Sequence, residues 1–216
     1  MLVNYWLLPF ALILLWFPRQ WFRNGGSVIP TPRLRRRPAL QDHDPRDLSL
    51  RWREEFFKFR NWMDVARGAV GSWAVVSMCF DTTPDAAKST DVLILVLKAL
   101  VLVIAVIIQT TRRERREITL VAPVFFVMGL SFGLVGTLAA LFACLMVWTL
   151  NRALPSAGIF LCVFAGLQVC FGYGLASAPL PMLLLAAALG WIPVLLSAVT
   201  RRRLERIARG SSSSGR

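Results

Sequence analysis

The chain has 216 residues, of which 56% are apolar and only 17% are charged. Its mean hydropathy of +0.58 leaves too little polar surface to cover a water-soluble domain, so the composition indicates an integral membrane protein. The 25 Lys and Arg residues outnumber the 12 Asp and Glu residues and give a formal net charge of +13. In a membrane protein such an excess first indicates which loops are cytoplasmic.

Six apolar runs follow one another along the sequence, and most have the length of a membrane-spanning helix. The run from 118 to 153 is too long for one span, because about 36 residues rise roughly 54 Å against a hydrocarbon core of about 30 Å. It is either one steeply tilted helix or a tight hairpin that turns near 133–136. With the hairpin, spans are predicted at 1–17, 62–80, 91–111, 118–135, 137–153, 156–175 and 180–200.

The distribution of basic residues favours the hairpin. With seven spans, every Lys and Arg except Lys88 and Lys98 lies on one side of the membrane, and such residues accumulate in cytoplasmic loops. Without the hairpin, the basic and Ser-rich tail at 201–216 would lie on the opposite side. We therefore expect an all-α, polytopic helix bundle in a bacterial cytoplasmic (inner) membrane, with the N-terminus outside and the C-terminus in the cytoplasm.

The first run, 1–17, has the length of a secretory signal but lacks its other features. No Lys or Arg precedes it, and no small-x-small cleavage site follows it. It is therefore expected to be a retained N-terminal transmembrane anchor.

The largest polar region is the predicted cytoplasmic segment 18–61. Its first half is rich in Pro, Gly and Arg and is expected to be irregular, whereas Asp44 and Pro45 favour the start of a helix. An amphipathic helix at 45–61 is predicted to lie in the membrane interface. The residues predicted to bind lipid or a partner are Arg33, Arg35, Arg36, Arg37, Trp52, Phe56 and Phe59.

Two interpretations of segment 18–61 remain open at the sequence level. It either docks a partner or senses lipid, or it simply shields the inner ends of the spans. Anionic lipid is favoured over nucleic acid as the counter-charge, because no aromatic residues that could stack on bases are interleaved with the arginine cluster.

Lys98 is the clear ionisable residue inside a predicted span. It could snorkel to the outer headgroups, pair with another subunit, or hold a substrate or an ion. Gln168 is a second intramembrane polar residue, for which hydrogen bonding between helices is the default role. Asp64 and Arg67, three residues apart at the inner edge of a span, are predicted to form a local ion pair.

Glycines at a spacing of four predict places where helices approach closely. Gly129 and Gly133 form one such pair, and Gly166 and Gly174 belong to a ridge of small residues that also contains Cys162 and Cys170. Residues 129–133 also match the G-x-S-x-G nucleophile motif. That motif requires a nearby His, and the single histidine, His43, lies outside the predicted spans, so a serine hydrolase is not favoured.

These observations favour a non-catalytic integral membrane subunit or scaffold. It would pack against partner membrane subunits and present a basic cytoplasmic surface to anionic lipid or a partner protein. We expect no catalytic residues, no cofactor, no metal and no nucleic-acid partner.

Two other functions remain open from the sequence. One is a small membrane transport component that binds a neutral or amphipathic solute near Lys98 and Gln168. The other is a lipid-modifying enzyme, for which the candidate acids or bases are Asp42, Asp44, Glu54 and Glu55.

Overall fold

The chain is mostly helical. A computed structural model describes residues 2–18, 59–81, 88–114, 117–154, 156–201 and 204–205. The described residues form seven α-helices: α1 (Leu7–Trp16), α2 (Phe59–Ser77), α3 (Lys88–Thr110), α4 (Val124–Leu134), α5 (Thr137–Leu150), α6 (Ala157–Gly174) and α7 (Leu180–Thr200). A short 3-10 helix, Asn151–Ala153, follows α5.

Three of these helices contain segments long and apolar enough to cross a membrane, namely Asp91–Thr110, Ala157–Gly174 and Leu180–Thr200. These segments are compatible with the membrane class expected from composition. Helices α1, α4 and α5 are apolar but shorter, with 10, 11 and 14 residues. Helix α2 has 19 residues and carries charged side chains along its first half.

The long apolar run from 118 to 153 is not a single helix. Helix α4 ends at Leu134, and α5 begins at Thr137 after Gly136, whose φ of +85° lies in the left-handed region that favours glycine. The rings of Phe125, at the start of α4, and Trp148, near the end of α5, have centroids 5.7 Å apart. The two helices therefore run antiparallel.

Among the described residues, five short strands depart from the expected all-α fold. Strand β1 (Leu2–Val3) pairs antiparallel with β2 (Phe80–Asp81). Strand β3 (Thr111–Glu114) pairs antiparallel with β4 (Glu117–Val121), and β5 (Leu204–Glu205) pairs in parallel with β4. The three-stranded sheet therefore joins the end of α3, the approach to α4 and the chain that follows α7.

Residues 118–121 were expected to begin a helix and instead form most of β4. Two local features explain the difference. Ile118, Thr119 and Val121 are β-branched and favour a pleated strand. Pro123 disfavours the helical conformation at Ala122, so the helix starts only after the proline.

The core consists of two apolar clusters that meet at α4. One cluster combines buried residues of α1, α2, α3, α4, α7 and the start of α5, including Leu15, Leu102 and Phe126. The other combines α4, α5 and α6, including Phe160 and Phe164. Helix α4 is therefore enclosed by other helices, which accounts for the burial of most of its residues.

Candidate functional site

A buried ion pair lies on α2. The Arg67 side chain is only 5% exposed, and its Nη2 atom lies 3.0 Å from Oδ1 of Asp64, one helical turn earlier. The same Nη2 donates a hydrogen bond of 2.7 Å to Oε1 of Gln109 on α3. Burying two charges is costly unless they are paired and hydrogen-bonded, and here both conditions are met.

The same network holds the end of α1. Nη1 of Arg67 donates to the carbonyl oxygen of Phe17 at 2.7 Å. Nε2 of Gln109 donates to the carbonyl oxygens of Phe17 and Leu15, at 2.9 and 3.1 Å. The last carbonyls of a helix lack partners within that helix, so these side chains supply the missing donors. The guanidinium of Arg67 also lies 5.3 Å from the ring centroid of Phe126, which brings α4 into the network.

Sequence reasoning identified the Asp64 and Arg67 pair but missed Gln109. The sequence feature that could have identified Gln109 is its position as a polar residue near the end of the largely apolar helix α3. The network joins four helices through the two Nη atoms of Arg67 and the side-chain amide of Gln109, which bind groups of α1, α2 and α3, so its role is that of a structural clamp.

Lys98 lies on α3, and its Nζ atom donates to the carbonyl oxygen of Val76 at 2.6 Å. Val76 belongs to the last turn of α2, where a cation both supplies a donor to a free carbonyl and interacts favourably with the helix dipole. The lysine thus contacts the end of a neighbouring helix.

Gln168 occupies a different environment. Its side chain is 1% exposed and lies on the buried face of α6, the face that also carries Phe164 and Gly172. Neither its amide oxygen nor its amide nitrogen has a hydrogen-bonding partner among the described residues. The structure therefore does not join Gln168 to Lys98, and leaving a buried amide unpaired costs about 1 to 3 kcal/mol.

The predicted packing glycines fall into two groups. Gly129 and Gly133 lie against α2, where a Cβ atom would collide with the carbonyl oxygen of Val65 and with the side chain of Ser72, respectively. Gly68 of α2 meets α4 in the same way, since a Cβ atom there would lie 2.7 Å from the carbonyl oxygen of Phe126. These contacts leave room only for glycine and bring the backbones of α2 and α4 together.

The other two glycines face outward. A Cβ atom added at Gly166 or Gly174 would meet no atom of the described chain within 4 Å. Cys170, between them on the same ridge, is exposed, and Cys162 is half-buried. The ridge of small residues therefore lies on a face of α6 that no described helix covers.

Most of the predicted cytoplasmic site lies outside the described residues. This applies to Arg33, Arg35, Arg36, Arg37, Trp52 and Phe56, and to the candidate acids Asp42, Asp44, Glu54 and Glu55. Phe59 is described as the first residue of α2, and its side chain is 76% exposed.

Within the described part of the chain, His, Cys, Asp and Glu side chains form no group of three that could hold a metal ion. No family model, curated protein or solved structure matches this chain. The arrangement of the described side chains is therefore the basis for a functional assignment.

Proposed function

We propose that this protein is a non-catalytic integral membrane subunit or scaffold that packs against partner membrane helices and presents a basic cytoplasmic surface to anionic lipid or a partner protein. The observation that carries the proposal is that the charged side chains of the bundle bind one another and the ends of neighbouring helices. Arg67 binds Asp64 and the carbonyl oxygen of Phe17 just after α1, and Lys98 binds the end of α2. Ionisable residues inside membranes commonly mark active or transport sites, but here they hold helices together.

The outward face of α6 supports a role in assembly. Gly166 and Gly174 leave a shallow surface on which another helix could approach closely, whereas Gly129 and Gly133 serve that purpose inside the chain. A lipid-facing surface has no need of such a ridge, because lipid chains pack equally well against larger apolar residues.

The proposed topology has seven spans and an external N-terminus. Its spans are the three apolar segments of α3, α6 and α7, the 19-residue helix α2, and the shorter helices α1, α4 and α5. The contacts between helix ends support it. Strands β1 and β2 join the start of α1 to the end of α2, while Arg67, in the first half of α2, binds Phe17 just after α1. These two helices are therefore antiparallel, as successive spans should be.

The test is purification of the tagged protein from its native membrane in a mild detergent. We expect the wild type to retain another membrane subunit in fixed stoichiometry. The double variant G166L/G174L should lose it, because leucine side chains would hold the partner helix away from α6. Ala198→Leu is the matched control, since Ala198 is also exposed but lies on α7.

A wild-type protein that purifies as a single chain would contradict the proposal. Equal loss of the partner in A198L and in the double variant would contradict the assignment of the interface to α6.

A transport component remains the second candidate, favoured by one observation, the unpartnered amide of Gln168. A neutral or amphipathic solute could supply the missing hydrogen bonds, although Lys98 already donates to Val76. Mass spectrometry of purified protein would distinguish the two functions. A solute bound in fixed stoichiometry to the wild type and absent from Gln168→Leu would favour transport over the scaffold.

A further inference from the structure

Helix α7 contains Pro193, which has no backbone N–H group to donate. In a regular helix that group would bind the carbonyl oxygen four residues earlier, so the carbonyl oxygen of Leu189 lacks its usual donor. Among the described residues, no donor outside α7 binds this oxygen. Leu189 and Pro193 are both buried, and residues four apart share one face of a helix, so the carbonyl group lies on the buried face of α7.

The side-chain amide of Gln168 is a second polar group in this core that lacks hydrogen bonds. Gln168 is 1% exposed, and neither its Oε1 nor its Nε2 atom has a partner among the described residues. Phe171, one turn later on α6, packs against both apolar clusters, one of which contains Leu189. This stretch of α6 therefore lies where the two clusters meet.

Two contacts fix the register of α6 against α7. A Cβ atom added at Gly190 of α7 would lie 3.1 Å from the Cβ atom of Ala165 on α6. A Cβ atom added at Gly172 of α6 would collide with the side chain of Leu183 on α7. The two contacts are seven residues apart on each helix and follow in opposite order, so the helices are antiparallel and Gly190 lies opposite Ala165.

This register places the two polar groups in the same layer of the bundle. Gln168 follows Ala165 by three residues, and side chains on a helix lean towards its N-terminus, so the amide extends back towards the level of Ala165. The carbonyl group of Leu189 adjoins Gly190, which lies opposite Ala165. The amide and the carbonyl oxygen are therefore at the same depth, and both lie in the interior.

The depth of this layer makes unpaired polar groups costly. Leu189 lies near the middle of α7 (Leu180–Thr200), far from either end of the helix. Prolines are tolerated inside membrane helices where neighbouring side chains or ordered water supply the missing hydrogen bonds. Here the protein offers two acceptors, the Oε1 atom of Gln168 and the carbonyl oxygen of Leu189, and one donor, the Nε2 atom. A buried water molecule typically makes about three hydrogen bonds, which matches this set.

We propose that Gln168 and the carbonyl oxygen of Leu189 bind one ordered water molecule between α6 and α7. The water donates to the Leu189 oxygen and to Oε1 of Gln168, and it accepts from Nε2. It thereby replaces the hydrogen bond that Pro193 removes from α7. This site goes beyond the proposed function, because it lies inside the chain and requires no partner subunit.

The test is solid-state NMR of the isotopically labelled, full-length protein in lipid bilayers, which measures the transfer of magnetisation from water to side chains. Gln168→Leu assigns the Gln168 amide signal by its disappearance. We expect the transfer to reach the Gln168 amide sooner than the methyl group of Ala165, because Ala165 lies in the same layer but offers no side-chain hydrogen bond to water.

Pro193→Ala restores the N–H group at that position, which can then bind the carbonyl oxygen of Leu189. The transfer to Gln168 should fall several-fold in this variant, because the water loses one acceptor. The matched control is Pro181→Ala in the first turn of α7, where an N–H group has no acceptor within the helix. The transfer should be unchanged in P181A.

The proposal is overturned if the transfer reaches Gln168 no sooner than Ala165, or if P193A and P181A change it equally. It is also overturned if a copurified solute binds the Gln168 amide in place of water, an outcome that would favour the transport component. Circular dichroism verifies that P193A retains its helices, and the wild-type measurement decides the question alone if it does not.

Discussion

Arg67 is the residue on which four helices depend, because it binds Asp64, Gln109 and the carbonyl oxygen of Phe17 and lies against Phe126. A buried ion pair contributes little net stability compared with apolar residues of the same shape, but removing one partner leaves the other charge buried and unpaired. The stability of the bundle should therefore be most sensitive to single substitutions at this pair.

We expect Arg67→Gln to lower the free energy of unfolding by about 3 to 5 kcal/mol, because the Asp64 carboxylate would lose its cation. Denaturation in detergent, followed by circular dichroism, measures the change. The double variant D64N/R67Q should be less destabilised than the sum of D64N and R67Q, because it has no unpaired charge. Additive effects would show that the two residues are not coupled.

Gln109 and Gln168 provide a matched pair with opposite expectations. Gln109→Leu should destabilise the protein by about 1 to 3 kcal/mol, because the carbonyl oxygen of Leu15 loses its side-chain donor and Nη2 of Arg67 loses one of its acceptors. Gln168→Leu should be neutral or stabilising, since it removes a buried amide that has no partner among the described residues. Melting temperatures of the two variants in the same detergent test this contrast. A large loss for Q168L would indicate that the amide has an essential partner.

At the residue level, the sequence predicted the pair of Asp64 and Arg67 because three residues of separation place two side chains on one face of a helix. It did not predict Gln109 as their partner. That contact joins residues 42 positions apart, and only the packing of α2 against α3 brings them together. The same limitation applies to Lys98, whose acceptor is a backbone oxygen on another helix.

At the level of whole elements, the closest contact is that between α2 and α4, and it depends on glycine. The predicted spacing of four between Gly129 and Gly133 has a structural counterpart here, since both residues lie against α2. The equally spaced residues of α6 lie on an open face instead. The spacing of the glycines alone could not distinguish the contact between α2 and α4 from the open ridge on α6, because both place small residues on one side of a helix.

This difference leads to opposite predictions for the same substitution. Gly133→Ala should destabilise the protein by about 1 to 3 kcal/mol, because the added methyl group collides with Ser72 and with the α2 backbone. Gly166→Ala should be neutral or slightly stabilising in the isolated chain, because alanine favours a helix and has open space there. Thermal unfolding of both variants tests this, and an equal loss in both would contradict the α2–α4 packing.

The strands were not predictable from hydrophobic pattern. Strands β1, β2 and β5 have two residues each, too few to show an alternation of apolar and polar side chains. Their partners are also distant, since Leu204 pairs with Leu120. Only β4 has a local sequence feature that indicates a strand, namely its β-branched residues followed by Pro123. The apolar character of the same segment favoured a helix, so the strand was not predicted.

At the scale of the whole molecule, hydropathy and charge predicted a helical membrane protein. They also predicted seven spans, but three helices have the length and composition to cross a membrane. Helix α4 is enclosed by neighbours, so its apolar residues report burial in protein, whereas α1 and α5 expose large apolar residues such as Ile13 and Leu145. Hydropathy cannot separate burial in protein from contact with lipid, so the seven spans stay a prediction.

The proposed orientation of α7 can be tested by cysteine labelling. In a background that lacks the four native cysteines, Ala176→Cys should react with a membrane-impermeant maleimide added outside the cell, and Arg201→Cys should react only after permeabilisation. These residues flank α7 at its two ends and are both exposed. Labelling of both from one side would contradict a spanning α7, and the reverse pattern would place the C-terminus outside.

The pairing of β5 with β4 also sets an order for biosynthesis. Strand β4 is made early, but its parallel partner begins at Leu204, beyond the last helix. The sheet therefore closes only after α7 has been synthesised, so β4 lacks one neighbour while four helices are being inserted. Strand β1 likewise waits for β2, about 80 residues downstream. The pairing of β1 with β2 can form before α3 is made, whereas the pairing of β4 with β5 comes last, and a chain truncated before Leu204 would be released with an open strand edge exposed to aggregation.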